Sequence, residues 1–300
     1  MNQKTARFDF IGKRKIWFII SLAAVLIGVA GYFIQGGFNF GIDFLGGSLI
    51  EVEFDGNTDV GQIRNVLEDA GYGSSIIQHT DDNKYIIRIK AEEVGKSLEI
   101  EEKARILDAL DEGMGINPVL LQDRTVNPGF GNILIRNALM AIAISLAGIL
   151  IYVWIRFELR FGVTAIVTLA HDVLITLGVY AILNREINTS TIAALLTIIG
   201  YSLNDTIVVF DRIRENTPKA RALGYTGVVN QSVNMTLSRS INTSLTTLFP
   251  IVFLLILGTT ALKDFALALT IGIISGTYSS IFFASPILVV WNNRFSKYKK

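Results

Sequence analysis

The chain of 300 residues is 51% hydrophobic, with a mean hydropathy of +0.47, which excludes an ordinary soluble protein of one or two domains and points to lipid as its solvent. Its 27 basic and 26 acidic side chains nearly cancel, so no overall charge suggests a nucleic-acid partner. Cysteine is absent and there are two histidines; disulfides, thiolate-held zinc, iron–sulfur clusters and thiol catalysis are excluded, and little material remains for a metal site.

A membrane-crossing helix needs about 20 mostly apolar residues to span about 30 Å of hydrocarbon. The first such stretch is Ile16–Phe33. Lys13, Arg14 and Lys15 before it and Gly28-Val29-Ala30 within it also match a secretory leader with a small-residue cleavage site, and the pattern alone leaves both readings open. From Gly36 to Asn132 the register changes to that of a soluble domain. Ser48–Phe54 alternates as a strand, Asp59–Ala70 is an amphipathic helix opened by Thr58 or Asp59, Ser75–His79 is a weaker strand and Tyr85–Lys90 a strong one. Leu98–Leu110 reads as a second helix and Val119–Arg124 as a last strand. The order β-α-β-β-α-β is that of a ferredoxin-like split β-α-β unit.

Five further spans follow: Asn137–Ile155, Gly162–Leu183, Ile187–Phe210, one that reaches to Leu257, and Phe265–Trp291. With the N-terminus inside, the cytoplasmic segments hold fifteen Lys and Arg, from Lys4 through Arg156 and Arg212 to Lys300, while the two short outer loops hold Arg185 and Lys263. That excess predicts cytoplasmic termini and an external 36–132 segment. The expected fold class is an α-helical membrane protein, a bundle of six transmembrane helices with an extracytoplasmic α+β ferredoxin-like domain between helices 1 and 2. Its parts are 1–35 (N-terminus and first span), 36–132 (outer domain), 133–292 (spans two to six) and 293–300 (basic cytoplasmic tail).

An ionisable side chain at the bilayer centre costs about 2.5–3.5 kcal/mol on insertion scales, so each needs a reason. Asp172 lies in the third span beside His171, Asp205 in the fourth, and Arg239 at the start of the fifth. Spans four and five run antiparallel, which puts Asp205 and Arg239 at matching depth. Such a pair either staples two helices or belongs to an ion relay. Thr197, Tyr201 and Asp205 recur at four-residue spacing, as do Arg239, Thr243 and Thr247. Each set shares one helix face, so these stripes, with Asn204 beside Asp205, are candidates to line a wet path. A carboxylate suits proton transfer because protonation removes its charge and weakens its attraction to an Arg that stays charged. His171-Asp172 reads either as a hydrogen-bonding pair between helices or as part of the ion path. Gly272 and Gly276 form a small-xxx-small face for helix packing, and Asp211–Asn216 a charged boundary at the interface. There is no P-loop, nucleophile elbow, HExxH or zinc-ligand spacing. No catalytic residue, cofactor or metal is therefore expected; the chain is expected not to be an enzyme, and to draw any work from an ion gradient or a partner.

Three runs carry a resemblance: Phe40-Gly41-Ile42-Asp43-Phe44-Leu45-Gly46-Gly47, Ala170-His171-Asp172-Val173, and the long run from Gly200-Tyr201-Ser202-Leu203-Asn204-Asp205-Thr206 to Arg214-Glu215-Asn216. Together with Ser238-Arg239-Ser240 and the Gly272/Gly276 span they resemble the SecF branch of the SecD/SecF family over nearly the whole chain. The resemblance implies that the first span is retained. It also implies one half of a SecDF complex of the resistance-nodulation-division superfamily, multi-pass in the bacterial cytoplasmic membrane. In such a complex the chain pairs with SecD, and the two work with the SecYEG channel and, functionally, the SecA ATPase. The complex uses the proton motive force, or sodium in some marine members, to help exported unfolded polypeptide leave the channel on the outer side. The family's intramembrane Asp and Arg fall on Asp205 and Arg239, and a third carboxylate belongs to the SecD half. Leu45 departs from the polar residue that many relatives carry before the Gly pair. Two other functions stay open: a non-transporting scaffold of the translocase, and a small-molecule or lipid transporter of the same superfamily, whose members usually have larger outer domains and two six-helix halves in one chain.

Overall fold

The structure, a computed structural model, describes residues 8–295 apart from 56–57, 74, 80–82, 91–99, 116–117 and 127. The start of the second expected helix, Leu98 and Glu99, lies outside the described residues. Contacts divide the chain into two units, Phe40–Met140 and the remainder, Met1–Asn39 with Ala141–Lys300.

In the helical unit α1 spans Arg14–Ile34, α6 Leu159–Ile182, α7 Thr189–Asn216, α8 Ala220–Leu257, α9 Thr260–Ser279 and α10 Ser285–Phe295, and α5, Pro128–Arg156, enters it at Ala141. A 3₁₀ turn, Thr217–Lys219, joins α7 to α8, and a π-helical turn, Ser280–Ala284, joins α9 to α10. Five stretches among the described residues are long and apolar enough to cross a membrane. One of these, Thr189–Leu257, is 69 residues long and contains both α7 and α8. These two lie side by side, as the Asn216 amide donating to Ser232 Oγ at 3.0 Å requires. Within α8, Gly224 has φ 69°, which breaks the helix near its start at a place where a side chain would be strained.

Small residues set the closest approaches. A Cβ at Gly28 of α1 would lie 2.7 Å from Gly178 Cα of α6, and one at Gly31 would lie 2.5 Å from the Ile182 side chain. Gly28 therefore serves the α1–α6 crossing, where backbones touch without side chains between them. On α9, Gly272 sits against Ile198 and Gly276 against Ser202 of α7. The apolar core gathers Ile11, Val153, Phe161, Phe210, Ile213, Val233 and Leu288, each at most 3% exposed. Ahead of α1, the backbone of Phe8–Ile11 is held by two side chains one turn apart on α8. Asn230 Oδ1 accepts from Phe10 N at 2.9 Å and Asn234 Oδ1 from Phe8 N at 2.9 Å.

The second unit contains α2 (Ile42–Leu45), β1 (Gly47–Phe54), α3 (Val60–Asp69), β2 (Ile76–His79), β3 (Lys84–Lys90), α4 (Ile100–Met114) and β4 (Pro118–Val126). The strands form one sheet in the order β2-β3-β1-β4, with every neighbouring pair antiparallel. Alternation along β1 turns Ile50, Val52 and Phe54 to one face, joined by Tyr85, Ile87 and Ile89 of β3, and Ile63, Leu67, Ile106 and Leu110 from the helices close over them. Asp59 and Gln62 form a capping box at the start of α3. Gly46 and Gly47 have φ of 74° and 130°, so the Gly pair turns the chain from α2 into β1 through backbone that other residues avoid.

Leu67 is fully buried and Arg64 on the same helix is exposed. Leu67→Ala is expected to destabilise this unit by about 2–5 kcal/mol. In membranes, limited proteolysis of this unit should speed up for Leu67→Ala and stay unchanged for Arg64→Ala. Burial pushes the Tyr85 phenol above its ordinary value, with the Asp59 charge adding to the effect. Its contribution to stability is then full below the unfolded pKa of about 10 and lost as pH rises through the raised one. Titrating phenolate absorbance should show a high-pH component that Tyr85→Phe removes.

Candidate functional site

Serine is small enough to stand at a close helix crossing and still offers an O–H donor. In this bundle serines from three helices and the π turn are aimed at two buried carboxylates. Asp172 on α6 is 0% exposed. Its Oδ1 accepts from Ser275 at 2.7 Å and bonds His171 Nδ1 at 3.0 Å, and its Oδ2 accepts from Ser202 at 2.6 Å and Ser279 at 2.8 Å. An ionised carboxylate has about four lone-pair sites, so these partners fill it.

Asp205, on α7, is 8% exposed. Ser240 of α8 donates to its Oδ1 at 2.6 Å and Ser280 to its Oδ2 at 2.5 Å. One donor per oxygen leaves acceptor capacity unused. Next to it the Tyr201 hydroxyl and Thr206 Oγ1 are buried with no partner among the described residues.

Matching depth did not produce an Asp205–Arg239 ion pair: among the described residues Arg239 makes none, and its side chain is exposed on this chain. The reason is angular. Successive helical residues point about 100° apart, so turning Ser240 onto Asp205 turns Arg239 away from it. Asn204, Thr243 and Thr197 are likewise exposed and Tyr201 is half-buried, so α7 and α8 present a polar face away from the bundle. Thr243 accepts at its carbonyl from Thr247 at 2.9 Å. Gly272 and Gly276 stand on the α9 face that meets α7.

Reading the sequence missed the five serines Ser202, Ser240, Ser275, Ser279 and Ser280 as partners of the carboxylates. A signal was present for two: Ser275 and Ser279 lie four apart in the helix and belong to one face. The π turn that begins at Ser280 left no such mark.

Comparison with known proteins places this geometry in a family. The model described as "Protein export membrane protein SecD/SecF, C-terminal" matches residues 107–294, and the SecD/SecF GG motif model matches residues 32–58. A protein translocase subunit SecF from Petrotoga mobilis is 40% identical over 302 residues, covering 97% of this chain and 98% of that one. Protein translocase subunit SecDF of Thermus thermophilus is 41% identical over 297 residues, which are 96% of this chain but 39% of that protein. This chain thus spans about two fifths of the SecDF relative. The crystal structure of SecDF from Thermus thermophilus, described as a translocon-associated membrane protein, superposes with a TM-score of 0.87 at 40% identity. It covers 98% of this chain and 40% of that one. A second SecDF crystal structure, in a super-membrane-facing form, superposes at 0.70 with the same identity and coverage. Full-length identity to SecF sequences, both family models and the structural match agree: the chain belongs to the SecD/SecF family of protein export membrane proteins.

Proposed function

We propose that this chain is the SecF-like subunit of a SecDF complex that uses a proton or sodium motive force to assist late steps of Sec-dependent protein export. The observation that carries the reading is Asp205, a buried carboxylate with acceptor capacity left open, next to a polar face that carries Arg239. A charged or polar side chain facing lipid is costly. The exposed Arg239, Asn204 and Thr243 therefore call for a cover, and a SecD subunit supplies it and completes the ion path. SecYEG, SecA and the exported unfolded chain are the further partners. Each ion crossing releases about 2.3 kcal/mol per 100 mV, enough over several crossings to move a domain. In this reading the chain makes six crossings of the bacterial cytoplasmic membrane with both termini inside. The 36–132 segment is an outer ferredoxin-like domain that meets exported chain or SecD. No chemistry is catalysed.

The test compares wild type, Asp205→Asn and Arg239→Met, each coexpressed with its SecD partner in membranes depleted of the native pair. Completion of preprotein export is followed after ATP removal under an imposed gradient, with assembly checked in parallel. Loss of gradient-driven completion in intact complexes is the expected result. Wild-type completion by both variants would favour a non-transporting scaffold of the translocase.

A further inference from the structure

We propose that Asp172 is a positioning residue for Asp205, acting through the adjacent serines Ser279 and Ser280 where α9 enters the π turn. The inference rests on reading Asp205 as the ion-coupling carboxylate.

Two neighbours on a helix point about 100° apart, so Ser279 and Ser280 reach carboxylates on two different helices. Ser279 donates to Asp172 on α6 and Ser280 to Asp205 on α7. A second link runs through α7 itself, where Ser202 donates to Asp172 three residues before Asp205. The place where the π turn starts decides which side chain faces Asp205, and the bond from Ser279 to Asp172 fixes that place. His171 adds a third link, its ring stacked at 4.7 Å on Phe283 inside the π turn. The Ser280 carbonyl accepts from Ser285 Oγ at 3.1 Å, so the widened turn keeps that group bonded.

The two serines are also built to let go. Ser280 Oγ has a second acceptor, the Thr277 carbonyl at 3.1 Å, and Ser279 has the Gly276 carbonyl at 3.2 Å. A hydroxyl has one proton to give. When Asp205 gains a proton, Ser280 can turn to Thr277 without leaving a buried donor unpaired. Asp172, with both oxygens fully engaged, holds Ser279 while Ser280 changes partner. Among the described residues, the titratable groups packed by the two carboxylates are His171 on α6, which bonds Asp172, and Tyr278 on α9, whose ring stacks on that of His171 at 6.4 Å; Tyr201 lies one turn before Asp205 on α7, Arg239 on α8 turns away, and no charged group of α1 bonds either carboxylate.

The experiment measures gradient-driven export completion across a pH series for Asp172→Asn, Ser279→Ala, Ser280→Ala and the double variant Asp172→Asn/Ser279→Ala, each in the assembled complex with its SecD partner. Asp205→Asn is the reference. We expect each single variant to lose roughly tenfold or more, the scale of one hydrogen bond to a charged group. The pH midpoint should move in the same sense in Asp172→Asn and Ser280→Ala, and the double variant should be no worse than Asp172→Asn. An inactive Asp205→Asn together with wild-type rate and midpoint in Asp172→Asn and Ser279→Ala would overturn the positioning role and leave the proposed function standing. A fully active Asp205→Asn would overturn both. If Asp172→Asn fails to assemble, the two serine variants, each lacking one hydroxyl, decide the matter by the same criteria.

Discussion

Asp205→Asn is expected to leave the complex assembled and to remove the gradient-driven part of export completion by about two orders of magnitude or more, the scale of losing a proton-transfer group. The substitution is sterically mild. An amide keeps one acceptor oxygen for Ser240 or Ser280, and Ser280 has the Thr277 carbonyl in reserve. What disappears is the ability to change charge. Asp205→Glu keeps that ability but pushes the carboxylate one methylene further into the serines that hold it. An intermediate rate is expected, and comparing the three rates separates charge switching from fit. Equal rates for Asp205→Asn and wild type would remove Asp205 from the coupling step.

Gly178→Leu is expected to be the most damaging substitution in the helical unit. A Cβ at Gly178 would lie 2.8 Å from the Gly28 Cα, and backbone cannot step aside as a flexible side chain can. α1 would have to move away from α6, at a cost of at least about 1–3 kcal/mol for overpacking alone. The Tyr278 hydroxyl, which donates to the Trp17 carbonyl at 3.1 Å and accepts from Ser21, would be strained by the same movement. Gly148→Leu is the control, because nothing lies within 4 Å of that Cβ position. The thermal midpoint of the complex in detergent should fall sharply for Gly178→Leu and hold for Gly148→Leu. Equal midpoints would show that the crossing is not a tight one.

Local pattern carried much of the architecture. Long apolar runs place the spans because lipid admits few polar residues, although α5 begins at Pro128, ahead of the expected Asn137. Alternation placed β1 and β3 within a residue of Gly47–Phe54 and Lys84–Lys90, because one face of each strand meets α3 and α4. The start of α3 was legible as Thr58 or Asp59, and the structure gives it to Asp59, whose capping partner Gln62 lies three residues on. The site was less legible. Asp172, Asp205 and Arg239 stand out as charges in apolar runs, but what each one touches is a tertiary fact. Depth alone brought Arg239 level with Asp205, and helical rotation gave the place at the carboxylate to Ser240. Gly28 lay in a run that also fits a cleavage site, and its role at Gly178 depends on a residue 150 positions away. The Asn230–Asn234 grip on Phe8–Ile11 links segments more remote still, 220 positions apart at Phe10 and Asn230.

The central claim, that Asp205 carries ions, is tested most directly by flux. The chain and its SecD partner, reconstituted in liposomes with an internal pH or sodium reporter, are challenged with an imposed proton or sodium gradient. Ion entry that requires Asp205 and stops in Asp205→Asn is the predicted result. Entry at the wild-type rate in Asp205→Asn, in vesicles holding the same amount of assembled complex, would contradict it.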